Sequence, residues 1–587
     1  MKETVSTRFH VQLPDQRWFE ENIGCENACP VNTRAPRYIS AISDEDYDCA
    51  FELNREDNLF PAILGRICVH PCEEKCRRGL LIDDPISICS LKRASADHKT
   101  SPSREEKPVR KRDKRIAIIG AGPSGLSAAN DLARLGYAVT LYESFPIPGG
   151  MLNVGIPAYR LPREVVTKAI EEVERLGVSI LTGTPVGKDL NLERLRRDYD
   201  AVYIAAGAHK AEKLGIQGEN LNGVIHGVTF MRMVNLKEDI KIGERVAVVG
   251  GGNTAMDTAR SSLRLGAKEV SILYRRTREE MPVDQRELEQ VEEEGIQIHF
   301  LTSPIAVLSR DNINVSGLRC GRNRQGDPEA DGRRRPIPIP GSEFDIPIDL
   351  LIPAVSQSPD ISFLPEAIGL EISRWDRLAV NPETFETNVQ GIFAGGDFVT
   401  GPRDVIRVIA DGRRAALSIH KYLSGEVYQG RPSHFTPVHE VRVDPDLEKI
   451  PRQKVDTISI EERMVLDREV DLGFSKELAQ KEASRCLQCH LFTIFDRTKC
   501  ILCGGCVDIC PKFCFRMARL DEIKRDEKLS KWVESLYGVS FVEAEKRNLA
   551  TVIFKDESRC IQCGLCVKRC PTGTITMEEY HRKSTFY

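Results

Sequence analysis

Apolar and polar positions along the chain spell out one pattern twice. Ile116, Ala117, Ile118 and Ile119 form an unbroken apolar run, which predicts a strand buried on both faces of a parallel sheet. A glycine turn follows, then a helix opened by Pro123 and Ser124, then a second run over Val139, Thr140 and Leu141. The pattern restarts at Arg245: Val246 to Val249 predict a strand, residues 253–265 a helix, and the run VSIL a further strand. Between the repeats, residues 163–176 read as a helix and 200–205 as a strand that returns to the first sheet. Residues 296–349 alternate as antiparallel strands do, around a charged excursion at 322–335 that predicts a surface hairpin. Residues 350–353 close the second sheet, and GIFAGGDF with the helix after it returns to the first.

The fold class expected is α/β, with two nested Rossmann-like nucleotide-binding domains, the second inserted in the first. Residues 115–243 and 370–425 make the first domain and 244–369 the second. Residues 1–100 read as short helices around cysteines, 101–114 as a polar linker, and 426–484 as a polar connection over the surface. The last stretch, 485–587, reads as a ferredoxin-like α+β domain on the strength of its cysteines.

Each residue of the first turn has a reason. Gly120 permits the tight bend, Gly122 lets a pyrophosphate approach the backbone, and Gly125 lets helix and strand pack closely. The phosphates then face free N–H groups at the positive helix end. Glu143, ending the second strand, is placed to accept hydrogen bonds from a ribose hydroxyl. In the second unit Gly250, Gly252 and Ala255 fill the turn positions, and Asn253 and Thr254 open the helix. Tyr274, Arg275 and Arg276 stand where the first unit has its acid. Guanidinium groups bind a 2′-phosphate bidentately and an acid repels it, so NADPH is favoured over NADH. The alternative is that these arginines are merely solvated. Gly149, Gly150, Gly155, Pro157 and Pro162 crowd the loop after the first unit, which is expected to lie against the ligand.

Length and charge narrow the class. At 587 residues the chain should hold about four domains. A net charge of −4 gives no broad basic field, so no nucleic-acid partner is expected. The longest apolar runs are strand-length, and Asp15, Glu20 and Glu21 sit where a signal peptide would need apolar residues. No membrane span and a cytoplasmic location are therefore expected.

Nineteen cysteines gather at the two ends; between Leu91 and Arg485 there is only Cys320. In a large cytoplasmic chain this favours metal or cluster ligation over disulfides. Cys500, Cys503, Cys506 and Cys510 before Pro511 match CxxCxxCxxxCP, as do Cys560, Cys563, Cys566 and Cys570 before Pro571. In such pairs the fourth cysteine serves the other cluster. One [4Fe–4S] centre is thus expected on Cys500, Cys503, Cys506 and Cys570, and its twin on Cys560, Cys563, Cys566 and Cys510. Zinc rarely needs four cysteines at this spacing, and hardly twice. Near the N-terminus Cys25 and Cys29 give CxxxCP and Cys68, Cys72 and Cys76 give CxxxCxxxC, with Cys89 beyond; thiolates so spaced can converge on one inorganic core. Cys49, within a helical pattern, is expected to be a small buried residue, and so are Cys320 and Cys514, which have no evident partners.

Together the cysteine-rich helices, GAGPSG, GGGNTAMD, YRRTREEMP and GIFAGGD resemble the small subunit of NADPH-dependent glutamate synthase. They are equally similar to its relatives, including dihydropyrimidine dehydrogenase and the large subunit of NADH-dependent ferredoxin:NADP oxidoreductase. The resemblance covers roughly residues 20–425. It implies FAD held by Gly120, Gly122, Gly125, Glu143 and Asp397, with Gly396 before that aspartate and Gly412 opening a helix near the flavin. It implies NADP(H), or NAD(H), held by Gly250, Gly252, Asn253, Arg275 and Arg276. The tail is similar to bacterial two-cluster ferredoxins and is an addition to the small-subunit pattern. One departure stands out. The family opens its N-terminal cluster domain with a CxxC ahead of the cysteines matching Cys25 and Cys29; here it is missing, yet Arg485, Cys486, Leu487, Gln488 and Cys489 reproduce it near the other end. Cys486 and Cys489 are therefore expected to fold back and complete a cluster with Cys25 and Cys76. That leaves Cys29, Cys68, Cys72 and Cys89 for a second, whose fourth ligand in the family is not always cysteine. Four [4Fe–4S] clusters would then use sixteen cysteines. The alternative is that Cys486 and Cys489 form a separate redox or zinc pair.

Nicotinamide gives two electrons at once, iron–sulfur clusters take one, and flavin does both. The expected protein is a flavin- and iron–sulfur-dependent NAD(P)H oxidoreductase subunit of a hetero-oligomeric complex. It would exchange electrons with ferredoxin or a partner redox subunit through its C-terminal cluster domain, with no catalytic side chain demanded. The alternatives are the electron-supplying subunit of a glutamate synthase, and an electron-relay module that turns over no nucleotide.

Overall fold

The computed structural model describes residues 9–10, 13–102, 111–187, 190–439, 446–547, 549 and 551–584. Its first sheet has five parallel strands in the order Ile392–Ala394, Ala201–Ile204, Arg115–Ile119, Ala138–Tyr142 and Ser179–Leu181. Strand residues alternate between faces. Ile116 and Ile118 enter the core shared with Leu126, Ala129 and Leu132 of helix Pro123–Arg134, while Ala117 and Ile119 pack on the other side with Val202 and Ile204. Burial on both faces is why the run carries no polar residue.

The second sheet is also parallel, in the order Leu350–Pro353, Arg245–Val249, Glu269–Leu273 and Gln297–His299. The chain leaves the first unit and returns to it through an antiparallel pair, Lys210–Ala211 against Gln357–Ser358. The insertion is thus shifted toward the N-terminus relative to the boundaries of 244 and 369: it begins after residue 211 and ends before residue 357. Helix Gly227–Asn235 gives Phe230, Met231 and Val234 to the second core, and Ile361, Phe363 and Leu364 pack against the first sheet. An amphipathic helix announces an apolar face but not which sheet receives it, which is why the boundary was misplaced. The charged excursion lies within a hairpin of Val315–Pro328 and Arg334–Pro338.

Two further expectations are corrected. Residues 426–484 are not a passive connection. Helix Lys476–Ala483 and Phe474 just before it put Phe474, Ala479 and Ala483 in one core with Tyr38, Ile39 and Ile42 of the N-terminal helices. Asp471 accepts from Arg286 (2.8 Å) and Gln290 (3.0 Å), and its carbonyl from Arg93 (2.9 Å), so this strap ties the helical domain to the second nucleotide unit. Cys49 is exposed rather than buried: helix Tyr47–Asp57 turns Tyr47, Ala50, Phe51 and Asn54 inward, a spacing that excludes position 49.

The C-terminal domain is a doubled unit. Leu491–Phe495 pairs with Ile575–His581, Phe515–Arg519 with Thr551–Lys555, and short helices Gly505–Ile509 and Leu565–Arg569 follow the two cysteine loops. Helices Glu527–Tyr537 and Phe541–Lys546 lie between the halves. Among the described residues no helix is long and apolar enough to cross a membrane.

Candidate cofactor sites

The first glycine turn is built for close approach. Gly120 has φ +104°, and a Cβ there would overlap the Ala205 carbonyl; one at Gly125 would overlap the carbonyl of Gly120. Gly122 caps the helix, and Gly150, at φ +53°, comes so near that a Cβ on it would stand 2.8 Å from the Gly122 Cα. Glu143 is buried and accepts from the N–H groups of Ala121 and Phe145, both at 2.9 Å, and from the Ser144 hydroxyl at 3.2 Å. Burial holds its carboxyl above the usual range, against those backbone donors. A carboxylate has about four acceptor positions, which leaves room for a ribose hydroxyl.

GIFAGGDF closes over the same helix end. Gly396, at φ +63°, lies where a Cβ would be 2.9 Å from that of Ser124, whose hydroxyl is 2.8 Å from that of Tyr203. Asp397 accepts from the Arg403 N–H at 2.9 Å, and burial pushes its carboxyl up to about 7. Gly412 does not open a helix. That helix runs Val405–Ser424 with Asp404 as its cap, and Gly412 lies inside it, where a Cβ would overlap the Ser124 carbonyl and the Ser127 hydroxyl. Its bareness lets two helices touch. Gly155 likewise ends the turn Met151–Val154, where a Cβ would overlap Met151.

In the second unit Gly250 (φ +152°) packs on the Ala354 carbonyl, while Gly252 caps helix Asn253–Arg264 with nothing within 4 Å of a would-be Cβ. The helix end, with Asn253 exposed and Thr254 half-buried, is open to a phosphate. The two arginines part company. Arg275 is exposed, and among the described residues no acceptor binds its guanidinium. Arg276 is buried, donating to the Arg334 carbonyl at 2.8 Å and to Glu329 at 2.6 Å. Arg276 is thus already engaged by the protein, and of the two only the Arg275 guanidinium faces solvent. The two units meet where Arg160, beyond the first turn, donates to Asp257 at 2.8 Å and pairs with Glu287 at 3.0 Å.

The cysteines converge from both ends of the chain. Cys25, Cys76, Cys486 and Cys489 line one cavity, and the thiol of Cys25 is pushed up by burial and then by Cys489, Cys76 and Cys486. A buried clamp that sequence reading missed brings the ends together. Arg78 and Arg485 are fully buried; Arg78 donates to Asp83 (2.6 Å) and to the Arg485 carbonyl (2.8 Å), and Arg485 donates to Asp83 (3.1 Å) and Glu482 (2.7 Å). Cys29, Cys68, Cys72 and Cys89 are the thiols that act on the buried ammonium of Lys92, one turn beyond Cys89. In the tail Cys510, Cys560, Cys563 and Cys566 line a second cavity. Cys514 does have partners: its N–H donates to the Cys510 sulfur at 3.2 Å, and its thiol meets those of Cys560 and Cys510. Cys500 and Cys503 are exposed, with Cys506 and Cys570 in the core that joins the two tail sites.

Among the described residues no three His, Cys, Asp or Glu side chains stand close enough to hold a single metal ion. Four thiols around a cavity suit a cluster instead, because its irons occupy separate corners and hold their sulfur ligands apart. The glycine cradles suit FAD and a nicotinamide nucleotide by the same test of fit.

Comparison with known proteins agrees with this geometry. The profile of pyridine nucleotide-disulphide oxidoreductases matches residues 114–412. The chain belongs to that family. No disulphide chemistry follows for its nucleotide units, since Cys320 is their one cysteine. Residues 19–103 match the 4Fe-4S cluster domain II of dihydropyrimidine dehydrogenase, and 499–574 a 4Fe-4S dicluster domain. The chain is 43% identical over 507 residues to the NADP(+)-dependent formate dehydrogenase subunit beta of Moorella thermoacetica, covering 79% of this chain and 70% of that one. It is 38% identical over 505 residues to the NADPH-Fe(3+) oxidoreductase subunit beta of Geobacter sulfurreducens, covering 79% and 75%. It is 34% identical over 420 residues to the glutamate synthase [NADPH] small chain of Escherichia coli, covering 68% and 88%.

Proposed function

We propose that the chain is the flavin- and iron–sulfur-bearing subunit of an NAD(P)H oxidoreductase complex, passing single electrons between NAD(P)H and ferredoxin or a partner redox enzyme. The observation that carries it is a continuous row of cysteine sites. Cys29 and Cys68 belong to the core under the first nucleotide unit, together with Ile406 and Ile409. Cys25 and Cys489 come next and pack with Ile561 and Cys563 of the tail. Arg77, between Cys76 and Arg78, donates to the Cys560 carbonyl at 2.7 Å and so pins the helical domain to the first tail site. The second tail site ends the row at the exposed Cys500 and Cys503.

When bound, FAD takes hydride from a nicotinamide and gives up single electrons, which clusters carry. The residues have simpler duties. The turns at Gly120 and Gly250 hold phosphates, Glu143 and Asp397 accept from FAD hydroxyls, Arg275 receives a 2′-phosphate, and sixteen thiolates hold iron. The match to the formate dehydrogenase subunit is 507 residues long against 420 for the glutamate synthase small chain, which supports the complex-subunit reading over the glutamate synthase one. Anaerobic stopped-flow mixing with NADPH tests the proposal: FAD should bleach and cluster EPR signals should follow. Bleaching by neither NADPH nor NADH would leave only an electron relay.

A further inference from the structure

The C-terminal domain carries its own control experiment, because its two halves are copies and only one is covered. Cys560, Ile561, Gln562 and Cys563 repeat Cys500, Ile501, Leu502 and Cys503, with the third residue left-handed in both, φ +53° at Gln562 and +52° at Leu502. Ile561 is 6% exposed and Gln562 7%, whereas Ile501 is 64% exposed and Leu502 43%. What covers the first loop is another cysteine site, since Ile561 packs with Ile23, Leu487 and Cys489. The bend after the fourth cysteine repeats the contrast. One half uses Gly573 at φ +63°; the other holds Phe513 at φ +51° with 70% of its surface exposed. A large aromatic residue is kept against its steric preference where glycine would do, and it points to solvent. Exposed Lys568 and Arg569 end the helix packed on Gly505–Ile509, and a Cβ on Gly505 would be 3.4 Å from the Arg569 side chain.

We propose that the face bearing Ile501, Leu502 and Phe513 docks an acidic iron–sulfur protein of the ferredoxin class. It would seat that protein's cofactor over the Cys500 loop as the Cys489 site is seated over the Cys560 loop. Scattered surface apolar residues are ordinary, but three large ones around exposed cluster ligands, beside a basic helix end, make a docking centre with a charged rim. The inference rests on the electron-transfer reading and names its partner. Electrons balance as NADPH and two oxidised ferredoxins giving NADP+, a proton and two reduced ferredoxins.

The test uses anaerobic holoenzyme at low ionic strength, NADPH as donor and plant-type [2Fe–2S] ferredoxin as probe. Cytochrome c drains the ferredoxin, and cytochrome c alone is the blank. Phe513→Gly, which copies the twin, and Ile501→Asp should each raise the KM for ferredoxin at least tenfold, with iron content and FAD bleaching by NADPH unchanged. Equal KM values in wild type and both variants would overturn the docking face. A wild type whose clusters are reduced by NADPH but which reduces no ferredoxin would overturn the acidic iron–sulfur partner. FAD bleaching with no cluster EPR signal would instead remove the reading on which the inference rests.

Discussion

Arg275 and Arg276 are adjacent and chemically identical, so replacing each by alanine isolates what the structure adds. Arg275 is exposed beside the open helix end, and a 2′-phosphate would take one or two charge-assisted hydrogen bonds from it. Losing about 1.5–3 kcal/mol of such bonding lowers kcat/KM for NADPH roughly 10- to 150-fold. NADH has no 2′-phosphate, so its kcat/KM should hold and the preference should collapse. Arg276 is buried against Glu329 and the Arg334 carbonyl. Its removal costs the hairpin about 1–3 kcal/mol and leaves the NADPH to NADH ratio within about threefold of wild type. The assay is anaerobic stopped-flow bleaching of FAD by each nucleotide. A preference lost in Arg276→Ala and kept in Arg275→Ala would refute the reasoning.

Three further outcomes are expected. Arg485→Met breaks the clamp beside Cys486 and leaves the buried Glu482 without its cation, at about 3–5 kcal/mol, while Arg78 still holds Asp83; purified protein should carry about four fewer irons, and an unchanged iron content would count against the clamp. Lys92→Met removes a buried positive charge from among four thiols. One cluster should shift to a lower potential by about 60 mV or more in an EPR redox titration, and unmoved potentials would exclude this role. Asp397 is raised to about 7 by burial, and a hydroxyl of bound FAD donating to it, as proposed, would favour its ionised form. FAD binding therefore releases a proton below pH 7, so affinity should climb as pH rises from about 5 to 7 and flatten above, by up to about tenfold per unit. Asp397→Asn should remove most of that slope; a slope kept in the variant would assign it elsewhere.

Much of this was legible in the chain because it is written in local spacing. A buried parallel strand must read as an apolar run, and a phosphate-binding turn must have its glycines in place, so both nucleotide units could be found from residues a few places apart. The tail cysteines are legible for the same reason. What escaped depends on long-range packing. Helix Gly227–Asn235 shows an apolar face without naming its sheet. Gly412 looked like a ligand glycine, though it serves helix contact at Ser124. Arg276 cannot be told from Arg275 until the hairpin carrying Glu329 returns beside it. The Arg78, Asp83 and Arg485 clamp joins residues about four hundred places apart, and its one sequence trace is the arginine of RCLQC.

The central claim is that the two ends of this chain complete one iron–sulfur site. Iron and acid-labile sulfide in anaerobically purified protein test it most directly, in wild type and in the Cys25→Ser and Cys486→Ser variants. The account predicts about sixteen of each in wild type, about twelve in either variant, and loss of the same EPR signal from both. A wild type near eight, or two variants that lose different signals, would contradict it.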